Sequence, residues 1–220
     1  MKLVSTLLAT SIAAFGSSQV MAYEAGDIMV KAGVINVAPK NDNASITGVG
    51  KVQVKDDTQL GLTGTYMVTP QIGIEVLAAT PFKHKIELDN GSTSTIGTTK
   101  HLPPTVSAQY YPMDPSSAIQ PYVGAGLNMT FFFDEADAVK GNALGPLGDS
   151  FGLSVSAGIN YDIDDKFLAN VAIWYIDIDT ELEGSNTALG KDYDVEIDPL
   201  VFMAGAVSYT HLTLPTNREV

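Results

Sequence analysis

The strongest constraint on the fold is an alternation of apolar and small polar residues that recurs along the whole chain. From 151 to 161, every odd position is apolar and every even position is Gly, Ser or Asn. The run from 123 to 133 repeats this pattern with Gly, Asn and Thr between apolar residues. A period of two residues indicates β-strands whose two faces meet different surroundings, whereas the 3.6-residue period of an amphipathic helix is missing.

Eight segments carry the alternation, at 28–37, 58–68, 72–87, 101–111, 123–133, 151–161, 167–179 and 195–207. The connections after the second, fourth and sixth segments are short. The others are long and polar, at 38–57, 88–100, 134–149 and 180–194. This arrangement predicts an all-β fold, an eight-stranded antiparallel transmembrane β-barrel with short periplasmic turns and long extracellular loops.

A secreted β-sandwich or a lipocalin-like barrel would also alternate, with its apolar face turned inward. Three features favour the membrane. The polar members are Gly, Ser, Thr and Asn rather than Lys and Glu, and the runs 122–133 and 151–161 hold no charge. Aromatic residues also gather near strand ends, as in an interfacial girdle: Tyr66, Tyr110, Tyr111, Tyr122, Phe131 to Phe133, Phe151, Tyr161, Phe167 and Tyr175.

Residues 1–22 have the three parts of a secretory signal peptide. Lys2 supplies the positive charge, Leu3 to Phe15 form the apolar stretch, and Val20 and Ala22 fit a cleavage site. The apolar stretch is shorter than the roughly 20 residues of a membrane-spanning helix. We therefore expect export, with cleavage after Ala22 and a mature chain that begins at Tyr23.

Composition excludes several functions. The chain has 12 Lys and Arg against 25 Asp and Glu, and a net charge of −13 argues against nucleic acid as a partner. The absence of Cys excludes disulfides and thiol catalysis. The one Gly-x-Ser-x-Gly string, at 148–152, leads into an alternating strand segment and not into a strand-to-helix elbow. We expect no enzymatic activity and no cofactor. His84 and His101 could approach each other and bind a metal with Glu87, but no spacing motif supports this, and no metal is expected.

Six strings stand in order at the expected strand positions: TQLGLT at 58–63, EVLAATPFKHK at 75–85, HLPPT at 101–105, PYVGAGLN at 121–128, WYIDIDT at 174–180 and DPLVFM at 198–203. Together they resemble the OmpW family of eight-stranded outer-membrane barrels across nearly the whole mature chain. The resemblance implies the outer membrane of a Gram-negative cell and a narrow, largely hydrophobic lumen. It also implies the admission of small, apolar molecules. The expected partners are outer-membrane lipid, lipopolysaccharide and small hydrophobic solutes, and we expect a monomer.

Strand parity assigns the lumen-facing residues. Lys31 and Glu75 point inward and need partners, so they form an ion pair or join a network, or else they only fill and rigidify the barrel. Leu77 and Trp174 point inward from opposite sides of the ring and would form an apolar constriction that excludes water and ions. The alternative is that Trp174 is an interfacial anchor, because a shift of one residue reverses every side chain.

An eight-stranded barrel is just wide enough for its own side chains or for one small ligand. The first hypothesis is a narrow conduit for small hydrophobic molecules. The alternative is a structural or adhesive barrel whose extracellular loops contact partners. A filled structural barrel would be packed with interlocking Arg, Glu and Lys, whereas the inward positions offer Gly, Ala, Leu, Met and Trp. This difference favours the conduit.

The C-terminus departs from the family pattern, in which the last strand ends in an aromatic residue. The string VSYTHLTLPT at 207–216 reads instead as the translation of a common sequencing adapter. We therefore expect the barrel to span 23–206 and residues 207–220 to be a non-native tail that pairs poorly from Val207 onward. The alternative is a genuine polar periplasmic extension.

Overall fold

A computed structural model describes residues 22–40, 43–46, 50–137, 147–164, 166–182 and 192–210. The elements are β1 (Ile28–Ala38), β2 (Ala44–Ile46), β3 (Gly50–Val54), β4 (Asp57–Thr69), β5 (Ile72–Ala79), β6 (Phe82–Asp89), β7 (Thr93–Leu102), β8 (Thr105–Tyr110), β9 (Ile119–Asp137), β10 (Ser150–Asp162), β11 (Phe167–Ile176), β12 (Asp179–Leu182), β13 (Tyr193–Glu196) and β14 (Leu200–Thr210). Across these ranges, no helix is long and apolar enough to cross a membrane.

Eight of the strands close into an antiparallel ring in the order β1, β4, β5, β8, β9, β10, β11 and β14, which pairs with β1 again. The prediction of an eight-stranded antiparallel barrel is therefore confirmed. Every backbone group in the ring can find a partner on a neighbouring strand, which is what a membrane-spanning sheet requires.

The predicted strands differ from the observed ones where prolines interrupt them. The segment 72–87 is divided at Thr80 and Pro81 into β5 and β6, and the segment 101–111 is divided at Pro103 and Pro104 into β7 and β8. Proline cannot donate a hydrogen bond to a neighbouring strand, so the ladder is broken and can change its partner there.

Two of the predicted long loops contain regular structure. The loop 38–57 includes β2 and β3, and much of the loop 88–100 belongs to β7. β3 pairs with β6, β6 with β7, and β7 with the far half of β9. We call this β2–β3–β6–β7 sheet the extracellular extension. β12 and β13 form a second hairpin at the same end of the barrel.

The outer face of the ring is apolar. Leu60, Phe151, Leu153 and Val171 are each about two-thirds exposed, as expected for side chains that face hydrocarbon. Part of the predicted girdle lies on this face: Tyr66, Tyr110, Phe131, Phe151, Phe167 and Tyr175. The assignment of Tyr111 and Tyr122 to the girdle is wrong, because both are buried inside the barrel.

The last strand continues beyond the predicted end of the barrel. Residues Val207 to Thr210 pair in register with Lys31 to Ile28 of β1, so the prediction that pairing fails from Val207 is wrong. The alternation also continues, because Val207 is buried while Ser208 is exposed. The predicted signal segment, up to residue 21, and the tail after 210 lie outside the described residues, and the cleavage and the origin of the tail stay predictions.

Candidate functional site in the barrel lumen

The four residues that parity predicts for the lumen all lie inside the barrel. Lys31, Glu75 and Trp174 are fully buried and Leu77 is 3% exposed. A fully buried Trp174 is not an interfacial anchor. Leu77 on β5 and Trp174 on β11 come from strands that are separated by three others in either direction around the ring. They therefore enter the lumen from opposite sides, and a role for them as a constriction stays a prediction.

Lys31 is held in place by three interactions. Its Nζ donates to Glu75 Oε2 at 2.7 Å and to the Tyr122 hydroxyl at 3.2 Å. The same ammonium lies 4.6 Å from the centroid of the Tyr122 ring, within the range of a cation–π contact. A buried charge is tolerable only when it is paired and hydrogen-bonded, and this arrangement meets both conditions.

Tyrosine rings in edge-on and tilted contact fill the periplasmic end of the lumen. The Tyr23 ring contacts Tyr111 edge-on at 5.4 Å between centroids, and Tyr111 lies 5.2 Å from Tyr122. Asn160 Nδ2 donates to the Tyr23 hydroxyl at 3.0 Å, and Asn170 Nδ2 donates to the Tyr122 hydroxyl at 3.2 Å. We call these five residues the tyrosine plug. They connect β9, β10, β11 and the residue that follows β8 to the segment before β1.

The sequence analysis missed this plug. Tyr23 was considered only as the first residue of the mature chain. The adjacent pair Tyr110 and Tyr111 held a usable signal, because consecutive strand residues face opposite sides and one of the two had to point inward. The amide of Tyr23 donates to the carbonyl of Pro115 at 3.1 Å, which attaches the N-terminal segment to the short β8–β9 connection.

The lumen wall has two sectors of different chemistry. On β11, β14 and β1, the inward residues are mostly apolar: Met29, Ile35, Val37, Leu168, Ala172, Trp174, Ile176, Val201, Met203 and Val207. On β8, β9 and β10, they are mostly hydroxyls and amides: Thr105, Ser107, Gln109, Gln120, Asn128, Thr130, Ser150, Ser154, Ser156 and Asn160. We call these the apolar and polar sectors. The expectation of a largely hydrophobic lumen therefore holds for one sector and is wrong for the other.

The apolar sector is part of a longer hydrophobic column. Buried Phe82 of the extracellular extension and Val195 of the second hairpin belong to the same cluster as Leu77 and Trp174. At the other end, this cluster reaches Val207 and its neighbours beside the plug. The buried side chains fill the described lumen, which is closed in this conformation.

His84 and His101 stack inside the extracellular extension. Their rings are 4.7 Å apart and within 4° of parallel, and Phe82 and Phe132 pack against the pair. His84 Nδ1 contacts the carbonyl of Lys55, so this nitrogen carries the proton and donates. Neither Nε2 has a hydrogen-bond partner in the described part of the chain.

This histidine pair does not form the metal site that was considered for it. The nitrogen lone pairs lie in two parallel ring planes and do not converge on one ion. Glu87, the suggested third ligand, pairs with Lys55 at 3.2 Å. Lys83 and Lys85 project outward at this level, which places the pair outside the hydrocarbon. Burial lowers the pKa of His84 and lowers that of His101 to about 3.

The extracellular mouth is acidic. A cavity of about 520 Å³ beside the second hairpin is lined by eight residues, five of which are acidic: Asp149, Asp179, Glu181, Asp194 and Glu196. Oxygens of Asp177, Asp179 and Asp198 lie within 4.8 Å of one another. Burial and then the neighbouring carboxylates raise the pKa of Asp179. Lys40 offsets part of this charge through its ion pair with Asp198 at 3.1 Å.

Comparison with known proteins identifies the family of this chain. The sequence model of the OmpW family matches residues 24–211. The chain belongs to the OmpW family. It is 44% identical to outer membrane protein W of Vibrio cholerae, over 87% of this chain and 92% of that protein. It is 41% identical to outer membrane protein W of Escherichia coli, over 91% and 96% of the two chains.

A solved structure agrees with the fold of this OmpW-family chain. The crystal structure of the outer membrane protein OprG from Pseudomonas aeruginosa is 40% identical and superposes with a TM-score of 0.76. The match covers 87% of this chain and 99% of that one. The barrel therefore lies in the outer membrane, as predicted, and its relatives are outer-membrane barrel proteins.

Proposed function

We propose that this barrel is a narrow conduit for small hydrophobic molecules across the outer membrane and that it acts as a monomer. The observation that carries the proposal is the continuous hydrophobic column from the extracellular extension, past Leu77 and Trp174, to Val207. An apolar solute that moves along such a wall remains out of water, which stabilises it by about 25 cal/mol for each Å² it buries.

The apolar sector offers a way past the plug. Lys31 and Asn170 bind the Tyr122 hydroxyl, and Met29 and Leu168 are the next inward residues of the same strands toward the periplasm. Both are fully buried and apolar, and Val207 pairs with Lys31 between them. A hydrophobic solute that follows these three residues leaves the hydrogen bonds of the plug in place, but it has to displace Tyr209, which pairs with Met29 and stacks on Tyr23 at 5.9 Å between ring centroids.

The closed lumen has to open for passage. Leu77 has no hydrogen-bonding side-chain group and Trp174 Nε1 has no partner among the described residues, so both side chains can change rotamer without breaking a hydrogen bond. Ions and water gain nothing from this surface, so a constriction of this kind selects for hydrophobic solutes.

Uptake of a labelled alkane by vesicles that contain the full chain tests the proposal. We expect faster uptake than in vesicles without the barrel, and a several-fold further increase for the double variant Leu77→Ala/Trp174→Ala. The matched control is Val76→Ala/Ile173→Ala, which changes outward residues of the same two strands and should behave as the wild type. Uptake no faster than in empty vesicles would overturn the proposal.

The closed lumen also supports a second candidate function, that of a structural or adhesive barrel. The inward side chains fill the described lumen and the extracellular extension presents an ordered β-surface. In that case the alanine variants would lower stability without changing uptake.

A further inference from the structure

Four lysines lie together on the outward face of the extracellular extension, and we call them the lysine cluster: Lys55, Lys83, Lys85 and Lys100. Lys83 of β6 pairs in register with Lys100 of β7. On the other side of β6, the backbone N–H of Lys55 donates to the carbonyl of Lys85 at 2.9 Å, so these two residues are also neighbours. Like charges on neighbouring strands of one sheet face repel each other, and a bound anion would remove this repulsion.

Carboxylates of the protein neutralise two of the four lysines. Lys55 pairs with Glu87 at 3.2 Å, and Lys100 pairs with Asp134 at 2.9 Å. The two lysines of β6 are exposed, and neither forms an ion pair with another described residue. The Asp57 carboxylate accepts the backbone N–H of the first of them at 2.8 Å. Two ammonium groups are therefore available to an anion from outside the chain.

The lysine cluster stands just above the hydrocarbon on the extracellular side. The outward side chains of β5 are apolar from Ile72 to Ala78, and the chain then continues into β6. Lys83 lies beside Asp57, the first residue of β4, and outward Leu60 is three residues further along that strand. The lysine is therefore about 10 Å from the apolar band, at a rise of about 3.3 Å per residue. The phosphates of membrane lipids lie at this level, and lysines at such a surface attract anionic head groups.

An apolar groove of about 410 Å³ lies on the lipid-facing surface below the lysine cluster. Its wall is formed by β1, β4 and β5, and Thr80 lies at its extracellular end. Ala32 and Ala78 both pair in register with Leu62 between them, so one large side chain is flanked by two small ones. An acyl chain that lies in this groove gains dispersion contacts along its length. A ligand that fills the groove and also reaches the cluster has an acyl chain and an anionic head group.

We propose that the lysine cluster binds a phosphate of lipid A, the anchor of lipopolysaccharide, and that an acyl chain of the same molecule lies in the groove. Lipid A combines phosphates with several acyl chains, which is the chemistry that these two neighbouring features require. Lysine binds phosphate as a point charge, so exposed side chains can converge on it without a fixed geometry. The acidic mouth repels the same phosphates, so the charge of the extracellular surface directs lipid A to the extension. The site lies on the outside of the barrel and is independent of passage through the lumen.

Native mass spectrometry of the full chain in detergent micelles counts bound lipid molecules and tests the site. The probe is diphosphoryl lipid A, titrated against the wild type and the charge variants. A lysine near an anionic head group contributes about a factor of five in affinity, so Lys83→Gln/Lys85→Gln should weaken binding about 25-fold. Lys83→Arg/Lys85→Arg keeps both charges and should bind as the wild type does.

Matched controls separate the site from general effects of charge and size. Lys83→Gln should weaken binding about fivefold, whereas Lys166→Gln, which removes an exposed lysine between β10 and β11, should not change it. Ala78→Phe fills the groove and should weaken the binding of diphosphoryl lipid A several-fold. Ala157→Phe, on the outward face of β10, should leave it unchanged.

The lysine variants and the choice of anion decide the outcome. Unchanged binding of diphosphoryl lipid A to Lys83→Gln/Lys85→Gln would overturn the proposal. Lipid A from which both phosphates have been removed should bind the wild type and this variant equally weakly, and binding as tight as that of the phosphorylated form would also overturn it. Equal affinity for phosphatidylglycerol, or for inorganic phosphate without any lipid, would assign the cluster to another anion and contradict lipid A as its occupant.

Discussion

Lys31 and Glu75 form an ion pair that crosses an intervening strand, with Nζ and Oε2 2.7 Å apart and neither side chain exposed. Lys31 belongs to β1 and Glu75 to β5, and β4 lies between them in the ring. The pair therefore connects two strands that share no backbone hydrogen bonds, at the level where Tyr122 begins the plug.

Removal of one partner should destabilise the barrel more than removal of both. Glu75→Met or Lys31→Met alone leaves an uncompensated buried charge, and we expect a loss of about 3–5 kcal/mol in the free energy of unfolding. The double variant Lys31→Met/Glu75→Met should recover most of this loss. Urea unfolding in lipid vesicles measures all four proteins, and additive effects of the single substitutions would contradict the account.

The ring of Tyr122 should matter for closure more than its hydroxyl. Tyr122→Ala removes the centre of the plug and should raise ion conductance in a planar bilayer. Tyr122→Phe keeps the ring beside Lys31 and should cost about 1 kcal/mol of stability with little change in conductance. Tyr110→Ala, on the outer face, is the control. Wild-type conductance in a folded Tyr122→Ala barrel would show that the plug does not close the lumen.

The stacked histidines should make stability depend on pH. Burial lowers the pKa of His101 to about 3, whereas an unfolded histidine titrates near 6.5. Between these values the unfolded chain binds a proton that the folded chain does not, so the free energy of unfolding falls as the pH falls from about 6.5 toward about 3. Burial lowers the pKa of His84 in the same direction, although the hydrogen bond to the Lys55 carbonyl and then the charges of Asp57 and Asp56 oppose this.

The double variant His84→Phe/His101→Phe isolates this contribution, because the carboxylates that also titrate in acid are unchanged. We expect its unfolding free energy to decrease less than that of the wild type between pH 6.5 and 4. Parallel curves for the two proteins would exclude the histidine pair as the cause.

Alternation was sufficient to predict which side of the wall a residue faces. The burial of Leu77 and Trp174 and the exposure of Val76 and Ile173 follow from period two alone. The prediction of facing succeeds because strand geometry is local and because one face of the wall meets membrane lipid while the other meets the packed lumen. The neighbours of several barrel strands were also predictable, since two consecutive strands that are joined by a short turn pair with each other.

The content of the lumen was harder to predict because it depends on contacts between distant parts of the chain. Tyr23 meets Asn160 across 137 positions of sequence, and no local pattern links them. The small polar residues of β9 and β10 were attributed to the membrane setting, and their accumulation on one side of the lumen becomes visible only when the ring is closed. The pairing also changes after Pro81: β5 lies between β4 and β8, whereas β6 lies between β3 and β7. This change depends on where β3 and β7 lie in the folded chain, which no local pattern gives.

Reversible closure of the lumen tests the central claim most directly. The chain has no cysteine, so Leu77→Cys/Trp174→Cys carries two thiols, both inside the barrel, that a reducible bifunctional reagent can bridge. Uptake of a labelled alkane by vesicles should fall to the level of empty vesicles after bridging and return when the bridge is reduced, whereas the outward pair Val76→Cys/Ile173→Cys should be unaffected. Unchanged uptake through a fully bridged barrel would contradict passage of hydrophobic solutes through the lumen.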